Sequence, residues 1–195
     1  MPGVLAGDCR AVVARYISAA DDALGETIWS EETAPGIDEV KLLAVRTYSQ
    51  DGNHSGLYAS REDLCVELEF MAYSKPPVMY LGFDLLTQEG MTVLRTYQAD
   101  TSPAEWPELQ IGRNRWYCTI PAGLLNGGIY SICPRIKTPY KRAVVGLDRA
   151  VQIQVVLDHG VSPIWNAIKG GRRDGVIAPI FKWRAVTQAE GVRPR

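Results

Sequence analysis

Along residues 64–73 apolar and polar positions take turns: Leu64, Val66, Leu68 and Phe70 alternate with Cys65, Glu67, Glu69 and Met71. A period of two belongs to a strand with one face on a core and the other toward water. Carried along the chain, the same reading predicts strands at 40–48, 64–73, 79–86, 92–97, 113–120, 128–136, a long segment 143–157, and 176–183. Turn formers separate them: Asp51-Gly52-Asn53, Lys75-Pro76-Pro77, Gln88-Glu89-Gly90, Ser102-Pro103, Pro121, Asn126-Gly127 and Pro139. Gln88-Glu89-Gly90 reads as a tight hairpin.

A 3.6-residue period shows convincingly at one place. Val12, Val13, Tyr16, Ile17, Ala20 and Leu24 recur at helical spacing over residues 8–24, with Asp8 as cap and Gly25 as stop. No helical crossover separates the strands, which disfavours a parallel sheet. The pattern predicts an all-β fold, an antiparallel β-sandwich (jelly roll) of about eight strands with a short N-terminal helix. Residues 1–27 then form a helical linker segment and 28–195 the sandwich domain.

Composition narrows the classes of function. At 195 residues the chain suffices for one well-filled core and an appendage. Lys+Arg 21 against Asp+Glu 22 gives a net charge of -1, without the basic excess of a nucleic-acid binder or a lipid-held surface. No apolar run approaches the roughly 20 residues that cross a bilayer, and the start carries no charged n-region, so no signal peptide is read. Cys9, Cys65, Cys118 and Cys133 are scattered without a C-x-x-C pair, and the chain has 2 histidines. That is the usage of free thiols in a reducing compartment, with no metal centre or cofactor expected. The expected location is cytoplasmic.

Candidate chemistry is sparse. Lys169-Gly170-Gly171-Arg172-Arg173-Asp174-Gly175 is glycine-rich and basic but does not match a Walker loop, so it reads as a solvated linker. Glu67 and Glu69 lie about 6.6 Å apart on one strand face, within the inverting-glycosidase range. Both would approach a ligand from the same side, whereas acid and base must flank the bond. No G-x-S-x-G occurs, and His54 and His159 sit in turns.

The outer sheet face is what remains. In a standard eight-strand jelly roll the second, fourth, fifth and seventh strands share a sheet. Applied here, that predicts one outward shelf: Glu67, Glu69, Tyr73, Arg95, Tyr97, Arg115, Tyr117, Gln152 and Gln154. The phase of 92–97 conflicts, since Val93 would also face out. Planar amides, carboxylates, guanidiniums and tyrosine rings are what a sugar site uses, for paired hydroxyls and for pyranose C–H faces. A plain solvated face has the same composition.

Flanking motifs add a resemblance. Trp29-Ser30-Glu31-Glu32-Thr33-Ala34-Pro35-Gly36 precedes the first predicted strand, Ile120-Pro121 and Leu125-Asn126-Gly127-Gly128-Ile129-Tyr130 stand in the middle, and Gly175-Val176-Ile177-Ala178-Pro179-Ile180-Phe181-Lys182-Trp183 closes the last. In order and spacing, residues 28–183 resemble the C-terminal domain of Wzt, the nucleotide-binding subunit of ABC transporters that export O-antigen polysaccharide. The resemblance implies a non-catalytic jelly roll that binds the capped, non-reducing end of a finished glycan. It implies ATP hydrolysis on a separate N-terminal domain, a membrane permease as partner, and a cytoplasmic place at the inner face of the inner membrane. It also implies a homodimer made by exchanging the terminal strand. Val176, Ile177, Ile180, Phe181 and Trp183 would then bury against the second subunit, and Pro179 suits an edge or exchanged strand. A jelly-roll enzyme acting on glycans is the alternative reading, and a structural or assembly jelly roll is a third.

Overall fold

Ten strands form among the residues that the computed structural model describes: 25–76, 78–138, 141–147, 149–158, 162–164 and 172–185. They are β1 (Glu26–Ile28), β2 (Val40–Tyr48), β3 (Leu57–Ala59), β4 (Leu64–Ala72) and β5 (Tyr80–Thr87). After them come β6 (Thr92–Tyr97), β7 (Gly112–Ile120), β8 (Gly128–Thr138), β9 (Lys141–Gly146) and β10 (Val151–Val156). The helix expected at 8–24 lies outside the described residues.

The strands make two sheets. The first has the order β1-β2-β4-β7; the second has the order β3-β10-β8-β5-β6, with β9 also paired to β8. All pairings are antiparallel except β10 with β3. Between the sheets lies one apolar layer. Leu42, Val45, Val66, Leu68 and Phe70 from the first sheet meet Leu81, Phe83, Leu85, Ile132, Ile136 and Ile153 from the second. The alternation along β4 and β5 supplies these inward rows directly, which is why the two sheets close on each other.

Three departures from the expected pattern have local causes. A register shift between Leu85 and Leu86 leaves Val93 as an extra residue in β6, and both Val93 and Leu94 pack against the core. This bulge resolves the phase conflict and turns Arg95 and Tyr97 outward. A second shift, between Leu42 and Ala44 in β2, lets Leu42 and Leu43 both be buried. Third, the long segment 143–157 is broken into β9 and β10, both of which run along β8. The short strands β1 and β3 carry too few residues for a period to show.

Sheet membership corrects the predicted grouping. The hairpin after β5, closed by Gly90 N–H to Thr87 O at 2.9 Å and Thr87 N–H to Met91 O at 2.8 Å, keeps β6 on β5 in the second sheet. The chain crosses to the first sheet afterwards, through residues 98–111. Consequently β4 and β7 share one sheet, whereas β6 and β10 share the other. Gly82 is needed for the β5–β6 contact, because a Cβ there would come within 1.9 Å of the Thr96 carbonyl oxygen.

The segment 176–183 forms no strand. Its attachments include one bridge, Leu125 to Ile177, and the Ala178 N–H to Leu124 O bond at 3.0 Å. Asn126 anchors its start by donating to the carbonyls of Arg173 and Gly175. Beyond Ala178 the chain runs over the surface, with Ile180, Phe181 and Trp183 exposed. Among the described residues, no helix is long and apolar enough to cross a membrane.

Candidate functional site

Cross-strand register sets the outer face of the first sheet in rows. One row reads Glu26, Arg46, Glu67, Tyr117; the next reads Ile28, Ala44, Glu69, Arg115; a third holds Lys41, Met71, Arg113. Glu67 and Glu69 do turn away from the core, as their alternation predicts, yet neither is open to solvent: they are 1% and 2% exposed. Their neighbours roof them. Arg46 Nη1 donates to Glu67 Oε1 at 2.6 Å and to Glu69 Oε2 at 2.5 Å. Tyr48 OH donates to Glu67 Oε2 at 3.0 Å. Arg113 Nη1 and Arg115 Nε stand 2.9 and 3.3 Å from the two Glu69 oxygens, and Glu26 sits 3.5 Å from Arg46 Nε. The expectation that both acids present themselves to a ligand is therefore corrected.

These contacts bear on the charge of Glu69 and of the two tyrosines. Burial acts to raise the Glu69 pKa, but the hydrogen bond and charge of Arg46, with the charges of Arg115 and Arg113, prevail and hold it below the usual carboxylate range. Burial and the hydrogen bond to Glu67 push Tyr48 up to about 12, and the same two causes raise Tyr117. A general acid must keep its proton near neutral pH; Glu69 is held the opposite way. Held as a carboxylate, Glu69 braces the guanidiniums around it.

What the face offers to solvent is Tyr117, 59% exposed, the half-exposed guanidiniums of Arg113 and Arg115, and Tyr73 at the end of β4. Tyr73 OH lies 3.5 Å from Glu31 Oε2.

The other expected residues are elsewhere. Arg95, Tyr97, Gln152 and Gln154 face outward from the second sheet, so the nine-residue shelf divides between opposite faces. There Arg95 grips the buried Asp84 with two parallel bonds, Nε to Oδ1 at 2.5 Å and Nη2 to Oδ2 at 2.8 Å. Arg135 adds Nε to Oδ2 at 3.0 Å. The Arg95 bonds outweigh burial and depress the Asp84 pKa. Lys137 Nζ stands 5.3 Å from the Tyr97 ring centroid, and Tyr80 meets that ring edge-on at 6.4 Å. Gln152 and Gln154 are half-buried on β10, at the far end of that face.

Sequence reasoning missed Arg46, Tyr48, Asp84 and Arg135. Arg46 and Tyr48 alternate with Val45 and Thr47, and Arg135 and Lys137 with Ile136, so a period-two signal was available for both pairs. Asp84 stands in the apolar run of β5, where an acid reads as an interruption until two guanidiniums are placed beside it.

The expected dimer strand is apolar and joined to the sandwich by the Leu125–Ile177 bridge: Ile177, Ile180, Phe181 and Trp183 are exposed, Trp183 at 96%, and Val176 is intermediate. With Arg61, Leu124 and Asp158 the tail lines an open groove of about 1000 Å³. Among the described residues, no group of three His, Cys, Asp or Glu is placed to hold a metal ion.

No family model matches the sequence, and no curated protein matches it. A solved structure does resemble the fold, described as the crystal structure of the C-terminal domain of Wzt. The similarity covers 83% of this chain and 89% of that one, at 15% identity and a TM-score of 0.56. The chain thus has the two-sheet fold of the Wzt C-terminal domain.

Proposed function

We propose that this chain is a non-catalytic carbohydrate-recognition domain that holds the capped, non-reducing end of an O-antigen-type polysaccharide for export by an ABC transporter. One observation carries the reading: the open outer face of the first sheet, where buried Glu67 and Glu69 lock Arg113, Arg115 and Tyr117 in place. Rings for C–H faces and guanidinium edges for hydroxyls then meet a saccharide already ordered, which lowers the cost of binding. The shared fold supports the same reading.

On this reading Tyr73, Arg115 and Tyr117 touch the sugar, and Glu67 and Glu69 position them. Arg95, Tyr97, Gln152 and Gln154 belong to the other face and make no part of this contact. ATP hydrolysis resides in a separate N-terminal domain, and a permease completes the transporter at the inner face of the inner membrane. The homodimer forms by exchange of the C-terminal segment: Val176, Ile177, Ile180, Phe181 and Trp183 leave their surface course and bury on a second subunit.

The test is a glycan array, followed by titration calorimetry with the retained polysaccharide. Capped chains bind and uncapped chains bind poorly; Tyr117→Ala and Arg115→Ala weaken binding about tenfold each, the worth of one good contact. An array that retains no glycan, or variants that bind like the wild type, overturns the reading. Product formation that Glu67→Gln abolishes would replace it with the enzyme alternative. Sedimentation of the chain cut after Gly175 reports on strand exchange: loss of the dimer is expected.

A further inference from the structure

The second sheet's outer face has a feature that the glycan reading leaves unused. Asp84 is buried, 1% exposed, and both Arg95 and Arg135 converge on its carboxylate. One negative charge thus gathers two guanidiniums, and Lys137 stands alongside over the Tyr97 ring. Among the described side chains of this cluster that leaves two positive charges in excess, in a chain whose net charge is -1.

Each guanidinium keeps donors beyond those that Asp84 takes. Arg95 spends Nε and Nη2 on Asp84, and so does Arg135. The Nη1 group of each has no partner among the described residues, and a guanidinium carries five N–H donors in a fixed fork. Arg95 keeps half of its side chain exposed, so its free edge reaches solvent. A second, independent sign is the Tyr97 hydroxyl, which is buried and has no hydrogen-bond partner. An unmet polar group of that kind asks for a ligand or a water. Asp100, nearby along the chain, is engaged elsewhere, accepting from Thr96 Oγ1 at 2.8 Å and from the Tyr97 N–H at 2.9 Å.

We propose that Arg95, Arg135, Lys137 and Tyr97 form an oxyanion site that takes a phosphate group on the outer face of the second sheet. Two guanidinium forks match the paired oxygens of phosphate, and the ammonium supplies a third charge without geometric demand. Asp84 is a positioning residue: it holds both forks in one orientation and cancels part of their charge, so they do not repel each other apart. The inference stands apart from the glycan reading, which neutral glycans and Tyr117→Ala test.

The experiment titrates the whole chain with inorganic phosphate, glucose 6-phosphate, glucose, and phosphatidylglycerol vesicles, at ionic strength held constant with chloride. Nuclear magnetic resonance follows the Arg95 and Arg135 Nε–Hε signals, and calorimetry gives the affinity. Saturable shifts at both arginines are expected with phosphate or its ester and none with glucose. Lys137→Gln weakens binding about tenfold, the worth of one charge-assisted hydrogen bond. Tyr97→Phe, which keeps the ring, weakens it about tenfold through loss of one hydrogen bond to a charged acceptor. Tighter binding of glucose 6-phosphate than of inorganic phosphate assigns the site to a phosphorylated sugar, and saturation by vesicles alone assigns it to a lipid headgroup. Lys41→Gln on the opposite face, which removes a charge outside either site, leaves the affinity unchanged. Shifts that never saturate with any probe, or an equal loss in Lys41→Gln, overturn the proposal.

Discussion

On the first sheet's outer face three carboxylates, Glu26, Glu67 and Glu69, meet three arginines, Arg46, Arg113 and Arg115. On the second sheet's outer face one carboxylate, Asp84, holds two arginines, with Lys137 beside them. Both faces set an acid flat against the pleat and cover it with neighbouring guanidiniums. They differ in what is left over. In the first the arginines are matched one for one by acids that act as posts beneath them, so its contact surface combines braced guanidiniums with the rings of Tyr117 and Tyr73. The second keeps uncompensated cations and an unmet hydroxyl. Two faces of one sandwich thereby acquire different ligand chemistries from the same residue types, by stoichiometry alone.

The contrast is broken most severely by removing an acid from either face. Glu69→Ala takes from Arg46, whose side chain is 15% exposed, one of its two carboxylate hydrogen bonds. Losing one partner of a buried pair costs about 3–5 kcal/mol, and a comparable drop is expected for Asp84→Ala. Urea denaturation reads both; a loss below about 1 kcal/mol would place these pairs with ordinary surface ion pairs.

Acid comes next, because it acts on both faces together. Glu69 and Asp84 have folded pKa values held down, so their stabilisation is complete above the ordinary carboxylate range and is lost as pH falls through the folded values. The melting temperature should be level near neutrality and fall steeply below about pH 4. In Glu69→Gln and Asp84→Asn the curve starts lower and its acid limb flattens. An acid limb of wild-type steepness in both variants would show that other groups drive the transition.

Tyr48→Phe sharpens the comparison more gently. It removes the hydrogen bond to Glu67, so a loss of about 1–2 kcal/mol is expected, with the fold kept. The smallest effect belongs to Arg113→Ala: the side chain is half exposed, and thermal unfolding should move by less than about 1 kcal/mol. Weaker glycan binding at unchanged stability would then separate contact from support on the first face.

Much of the fold was legible along the chain. β2 and β6 fall at the predicted residues, and β4, β5, β7 and β8 differ by a residue or two at their ends. The apolar run of 176–183 reads as a strand because period and composition cannot tell a paired strand from an extended tail. Hydrogen bonding decides that, and here one bridge at Ile177 is formed. The nine-residue shelf failed as a unit for a related reason. Arg95 and Tyr97 do face outward, as do Glu67 and Tyr117, but nothing local says that β6 follows β5 into one sheet while β7 joins β4 in the other.

Alternation by itself determined which side chains of each strand leave the core, because the pleat imposes that residue by residue. Tertiary structure decided which strands lie side by side, and with that whether an outward acid meets water or a guanidinium. Glu67 and Glu69 turn outward by pattern and are covered by Arg46, which lies 21 and 23 residues earlier in the chain. Cross-strand register is a property of distant segments brought together, so no local pattern could show that contact.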